Sequence, residues 1–139
     1  MRVGFDPVTD YPLGTRRPDL VTTPSGLPLE ALSLAAARTG TLSPDDMRAT
    51  AETLGRQAEV ARAAGRRQLA DGIERAAELT RVPDDEVLAI YTALRPGRSS
   101  LDELEGWARR LDELDAARTA AFVREAAEAY RDRALLARG

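Results

Sequence analysis

The sequence predicts an all-α protein: a compact bundle of about five to six short helices with an extended, Pro-rich N-terminal arm. Three observations carry this. Apolar residues recur at i, i+3, i+4 and i+7 over most of the chain after residue 28. No stretch of useful length alternates as a strand would. Ser, Pro, Gly and acidic residues punctuate the apolar stretches where helices start and stop. The 139 residues fit one domain by length, organised as an arm over residues 1–27 and a helical domain over 28–139. No fixed period marks a repeat architecture.

Five of the eight prolines, at positions 7, 12, 18, 24 and 28, fall in the N-terminal segment. Proline fixes φ and lacks an N–H, so no regular helix is expected through it. Tyr11, Leu13, Leu20, Val21 and Leu27 follow no period. Solvated tails seldom carry Tyr and several Leu, so the segment reads as an arm laid over a surface rather than a disordered tail.

The helical patterns follow in order. A short one covers about 28–38 and stops at Gly40. Ser43-Pro44-Asp45-Asp46 is a helix start: a Ser cap, Pro at the first position, acids at the positive end of the dipole. Thr50 caps the next helix, where Leu54, Ala58 and Ala61 share a face, and Gly65 ends or bends it. From Arg66 to about Leu79, Leu69, Ile73 and Ala76 recur at helical spacing. Gly72 inside that stretch costs about 1 kcal/mol against Ala; it is either a tolerated weakness or a point of close backbone approach. Pro83 stops the helix, and Asp84, Asp85 and Glu86 load the first turn of the next. Val87, Ile90, Tyr91 and Leu94 form one apolar stripe. Pro96-Gly97 ends it, and Ser100-Leu101-Asp102-Glu103 is a capping box. Leu101, Leu104, Trp107, Leu111 and Leu114 continue the pattern. The last helix runs from about Ala116 to Leu136, with Ala120, Val123, Ala127 and Tyr130 on one face.

Composition narrows the function. The chain has 25 Ala against 18 Leu. Alanine orders without side-chain entropy loss but buries little area, so helices form readily around a thin core, and part of the apolar surface is expected to need a partner. There is no Cys, so no disulfide, thiolate nucleophile or Cys-based zinc site; there is no His, the commonest metal ligand and neutral-pH base. All 20 basic residues are Arg, in scattered pairs such as Arg16-Arg17, Arg66-Arg67 and Arg109-Arg110. With a net charge of −3, they form no basic stripe for nucleic acid. No apolar run approaches the roughly 20 residues of a membrane span. The N-terminus MRVGFDPVTD has no apolar signal region. A cytoplasmic location is expected.

A nucleophilic triad needs a base that this chain lacks. The acids at 45–46, 84–86 and 102–103 sit at helix starts, where dipole compensation accounts for them. No Gly-rich loop matches a phosphate cradle. Glu74 and Glu78 with Arg75 and Arg81 read as pairing along a helix surface. Trp107 and the tyrosines at helical spacing read as core or interface. The residues alone describe a helical protein that depends on a partner and has no catalytic kit of its own.

Five stretches, in order, carry a resemblance: DYPL at 10–13, DMRATAETL at 46–54, AG at 64–65, ERAAELTRVPDDEVLAIYTALRP at 74–96 and AAFVREAAEAY at 120–130. Together they resemble the small subunit of adenosylcobalamin-dependent diol and glycerol dehydratases over about residues 10 to 136, most specifically at 74–96. The chain departs from that pattern at Ala51, where a proline is expected, and at Gly97, where a bulkier residue is expected. Nine residues precede DYPL, whereas some family members carry a longer extension that directs the enzyme into a bacterial microcompartment; encapsulation through this chain is not expected.

The resemblance implies a holoenzyme that converts 1,2-diols or glycerol to aldehydes by a radical route with loss of water. Adenosylcobalamin is then held by the large and medium subunits, with the large subunit's barrel holding the substrate. The implied assembly is a dimer of heterotrimers in which the small subunit supplies no catalytic, cofactor-binding or metal-binding residue. The candidate partner contacts are Tyr11, Pro12 and Leu13 of the arm and Arg75, Arg95 and Arg98 around the corner at 75–99. Arg suits such rims because its planar fork binds carboxylates bidentately; the other reading leaves all three Arg solvated. The competing function is a free-standing helical adaptor of another cytoplasmic complex.

Overall fold

A computed structural model describes residues 4–138. Among them are seven α-helices: α1 (Leu13–Arg16), α2 (Leu34–Arg38), α3 (Ala51–Ala63), α4 (Arg67–Leu79), α5 (Asp84–Ala93), α6 (Leu101–Glu113) and α7 (Ala117–Asp132). Single 3₁₀ turns lie at Pro18–Leu20, Leu29–Ala31 and Pro44–Met47. No strand occurs among the described residues beyond one antiparallel bridge between Thr22 and Pro28. The all-α class is as the periodicity requires. Contacts divide the chain into two compact units between Ala77 and Glu78, inside α4.

In the first unit the prolines confine the N-terminal segment to turns. Pro12 precedes the one-turn α1, and Pro18 opens a 3₁₀ turn. Phe5 and Leu13 are nonetheless buried, at 4% and 5% exposure. Arg17 ties the segment together, donating to the Gly4 carbonyl (2.6 Å) and to the carboxylates of Asp10 (2.9 Å) and Asp19 (3.0 Å). Arg56 of α3 donates to the Leu20 carbonyl (3.2 Å), fastening the segment to the helices that follow.

Two helix starts give less helix than the sequence suggests, for one reason. A capping residue must be extended. Ser33 caps α2, accepting from the Ala36 N–H (3.1 Å) at φ −123°, ψ 160°, and so splits the helix expected over 28–38 into a turn and five residues. Thr50 caps α3 in the same way, at φ −82°, ψ 156°. The helix opened by Ser43 therefore stops at Met47.

α3 and α4 meet through Ala58, Ala61 and Ala70, with Ile73 alongside. The turn between them holds Gly65 at φ +79°, where glycine alone avoids a Cβ penalty. The inward face of α4 is rotated from the expected stripe: Ala70 is buried, while Leu69 is 48% exposed and Ala76 is also exposed. A Cβ on Gly72 would meet only the Arg75 guanidinium at 3.8 Å, so no other backbone approaches it closely.

The second unit has a continuous core of Val82, Ile90, Leu104, Leu111 and Val123 interleaved with Ala108, Ala116, Ala120 and Ala127. Pro83 precedes α5, and Asp84, Asp85 and Glu86 fill its first turn. Ser100 caps α6 by accepting from the Glu103 N–H (3.2 Å). α7 starts on Ala116, which has no capping side chain. Glu78 supplies the cap from α4, accepting from the N–H groups of Arg118 (3.0 Å) and Thr119 (2.8 Å) and from the Thr119 hydroxyl (2.8 Å). Glu78 thus closes a helix end distant in sequence rather than pairing along its own helix. α7 ends at Asp132, short of the expected Leu136. The chain turns at Ala134 (φ +56°) and runs back: Gly97 N–H donates to the Leu135 carbonyl (2.7 Å), and Ala137 N–H to that of Ser99 (2.9 Å).

Replacing Glu78 with Ala strips α7 of its cap and is expected to cost about 1–2 kcal/mol. Denaturant unfolding followed by fluorescence of Trp107, the chain's single Trp and a residue of this unit, measures it. In the first unit, the Ser25 hydroxyl and the Ser43 backbone N–H hold the Asp46 carboxyl down to about 2 from 3.8. A depressed carboxyl stabilises the fold above its unfolded value and loses that stabilisation as pH falls through its folded value. The melting-temperature gap between wild type and Asp46→Asn is expected to be full at pH 6 and to narrow as pH falls from 3.8 towards about 2.

Candidate partner interface

Among the described residues, no group of three or more His, Cys, Asp or Glu is placed to hold a metal ion. No helix is long and apolar enough to cross a membrane. The acids at the helix starts stay there. Asp46 accepts from Ser43 at its own turn (2.8 Å), and Glu86 takes a two-point contact from Arg110 of α6 (2.8 and 3.2 Å). Arg124 of α7 spans Glu105 (3.0 Å) and Asp112 (3.0 Å) of α6. That guanidinium, donating to Glu105, holds the Glu105 carboxyl below the usual range, and the two acids push the Arg124 pKa up. These charges serve packing; they do not converge on a reacting atom.

The exposed surface of the second unit is more informative. On α5, Ile90 is 5% exposed, and Val87, Ala93 and Leu94 pack against the same core. Leu88 and Tyr91 turn the other way, at 68% and 60% exposure. The expected stripe Val87–Ile90–Tyr91–Leu94 therefore loses Tyr91 to the outer face. Beside Leu88 runs a groove of about 410 Å³ lined by Asp85, Leu88, Ala89, Thr92, Arg98 and Glu103, among others. Its lining includes Asp85 from the start of α5, Glu103 from the start of α6 and Arg98 from the loop between them.

The match to known proteins is extensive. A family model described as "Dehydratase small subunit" covers residues 7–137. The propanediol dehydratase small subunit of Citrobacter freundii is 50% identical over 127 residues, spanning 91% of this chain and 74% of that protein. The propanediol dehydratase small subunit of Salmonella typhimurium is 47% identical over 127 residues, 91% of this chain and 73% of that one. The chain belongs to the dehydratase small-subunit family.

In this dehydratase small subunit the candidate contact residues lie in two places. Tyr11 and Pro12 are exposed in the first unit, with Leu13 buried directly after them. Arg75 is half-buried on α4. Arg95 and Arg98 are exposed in the loop after α5, and Arg98 shares its groove with Leu88. Leu88 was not among the residues that the sequence singles out, because it lies off the inward stripe. The available signal was its angle: at 3.6 residues per turn it stands about 100° round the helix from Val87, too far to share that face.

This placement has a direct consequence for stability. Leu88→Ser and Tyr91→Ser are expected to change unfolding free energy by no more than about 0.5 kcal/mol, as surface substitutions do. Ile90→Ala, one position away, should cost about 2–5 kcal/mol. Denaturant titration of the three variants, read at Trp107, compares them.

Proposed function

We propose that this chain is the non-catalytic small subunit of a diol dehydratase, whose holoenzyme converts 1,2-diols or glycerol to aldehydes with loss of water. The observation that carries the reading is the match to two propanediol dehydratase small subunits across 91% of the chain. Its own chemistry agrees: general base, nucleophile and metal-ligating cluster would all have to be assembled without His or Cys.

The cofactor of such an enzyme is adenosylcobalamin, which supplies a carbon-centred radical when bound. The residues here do not fit it. The chain carries no His, and the groove beside Leu88 holds about 410 Å³, small for a corrin ring with its nucleotide and adenosyl arms. Cofactor and substrate are assigned to the large and medium subunits, and the assembly is proposed to be a dimer of heterotrimers in the cytoplasm. On this chain, exposed Tyr11 and Pro12, with buried Leu13 directly after them, are proposed as one contact region. Arg75, Arg95 and Arg98 are proposed as the others, their guanidinium groups offering bidentate contacts to carboxylates.

Reconstitution tests this. The chain should copurify with the large and medium subunits. Aldehyde should form from 1,2-propanediol or glycerol only when all three chains and adenosylcobalamin are present. Aldehyde produced by the chain alone, or failure to join those subunits, overturns the reading and favours a free-standing adaptor.

A further inference from the structure

We infer that the C-terminal segment Ala134–Arg138 is a clasp on the loop between α5 and α6, and that segment and loop open and close together as one unit. The loop carries Arg95 and Arg98, so the clasp governs when those two residues are held in a single arrangement. Three observations lead there.

First, the loop is fastened from the far end of its unit. Its short-range bonds run from the Arg95 N–H to the Thr92 carbonyl (3.2 Å), from the Arg98 N–H to that of Arg95 (3.1 Å) and from the Ser99 hydroxyl to that of Ala93 (2.8 Å). The remaining bonds reach across to α7 and the segment after it. The Tyr130 hydroxyl donates to the Leu94 carbonyl, the Gly97 N–H donates to the Leu135 carbonyl (2.7 Å), and the Ala137 N–H donates to the Ser99 carbonyl (2.9 Å). A loop that satisfies its backbone through a distant segment stays ordered only while that segment is in place.

Second, the segment hangs from a strained joint. At the end of α7 the Leu135 N–H donates back to the Tyr130 carbonyl (2.7 Å), and Ala134 takes the left-handed conformation at φ +56°. Helices that end this way usually place glycine there, because a Cβ is disfavoured at that angle. The turn is therefore held by what lies beyond it: Leu136 packs against the core, and two backbone bonds reach the loop. Keeping the turn and closing the clasp are one event.

Third, the join is lightly built. Pro96, Gly97 and Ala137 are exposed, and Leu135 and Leu136 are only half-buried. An open groove lined by Pro96, Gly97 and the segment from Ala134 to Arg138 runs along it. Regions with exposed backbone hydrogen bonds and few buried apolar contacts open at lower free energy than the core. Leu104, Leu111 and Val123, which are fully buried, stay in place when the clasp opens.

Hydrogen exchange of the full-length chain, followed amide by amide by NMR, tests this without any partner. In wild type the amides of Gly97 and Ala137 should share one opening constant to within about twofold, and it should exceed that of Leu111 by roughly tenfold or more. Ala134→Gly relieves the joint and should lower the opening constant of both amides by roughly three- to tenfold, Gly97 as much as Ala137. Deleting residues 134–139 should lower the ¹H–¹⁵N NOE of Gly97 and Arg98 while that of Leu111 is unchanged. The clasp is overturned if Ala134→Gly slows Ala137 but leaves Gly97 as in wild type, if the deletion leaves the loop as rigid as before, or if both amides open only together with Leu111. Should the shortened chain not fold, the Ala134→Gly comparison decides alone.

Discussion

Close packing through alanine is the constraint on which the rest of this molecule depends. Where α3 meets α4, the buried residues are Ala58, Ala61 and Ala70. In the second unit, Ala108, Ala116 and Ala120 are fully buried between the larger side chains of Leu104, Leu111 and Val123. Small side chains let helix backbones approach and leave few voids, but each contributes little apolar area. A core of this kind gives little margin for misaligned helices, so other interactions must fix where each helix sits.

Those interactions are polar and connect distant parts of the chain. Glu78 closes the start of α7 from the end of α4. Arg110 joins α6 to Glu86 of α5, and Arg124 joins α7 to two acids of α6. The Tyr130 hydroxyl of α7 donates to the Leu94 carbonyl at the end of α5. Each bond is directional where alanine packing is not, so together they set helix register at points the small core leaves underdetermined. In the first unit Arg17 and Arg56 do the same for a proline-rich segment that cannot satisfy its own carbonyls by forming a helix.

The thin core also accounts for what faces outwards. The chain spends its large apolar residues sparingly and leaves Leu88 and Tyr91 on the surface of one short helix. That is consistent with a family in which this chain is one subunit among several, and with a sequence that holds charges for packing and none converging on a reaction.

Much was legible in the residues. Helix starts at Thr50, Pro83 and Ser100 and the stops at Gly65 and Gly97 follow from local backbone chemistry, which acts over four or five residues and needs no knowledge of the fold. The absence of His and Cys excluded the commonest catalytic and metal chemistries outright. Tertiary structure alone decided which way each stripe turned. Tyr91 lies at the edge of its apolar stripe, and Leu69 sits beside Ala70; in each case the neighbouring helix, not the periodicity, selected the inward residue. The burial of Phe5 and Leu13 without any period, and the use of Glu78 as a cap 40 residues away, depend on chain segments meeting in space. A single sequence encodes such meetings only through the energy of the whole fold.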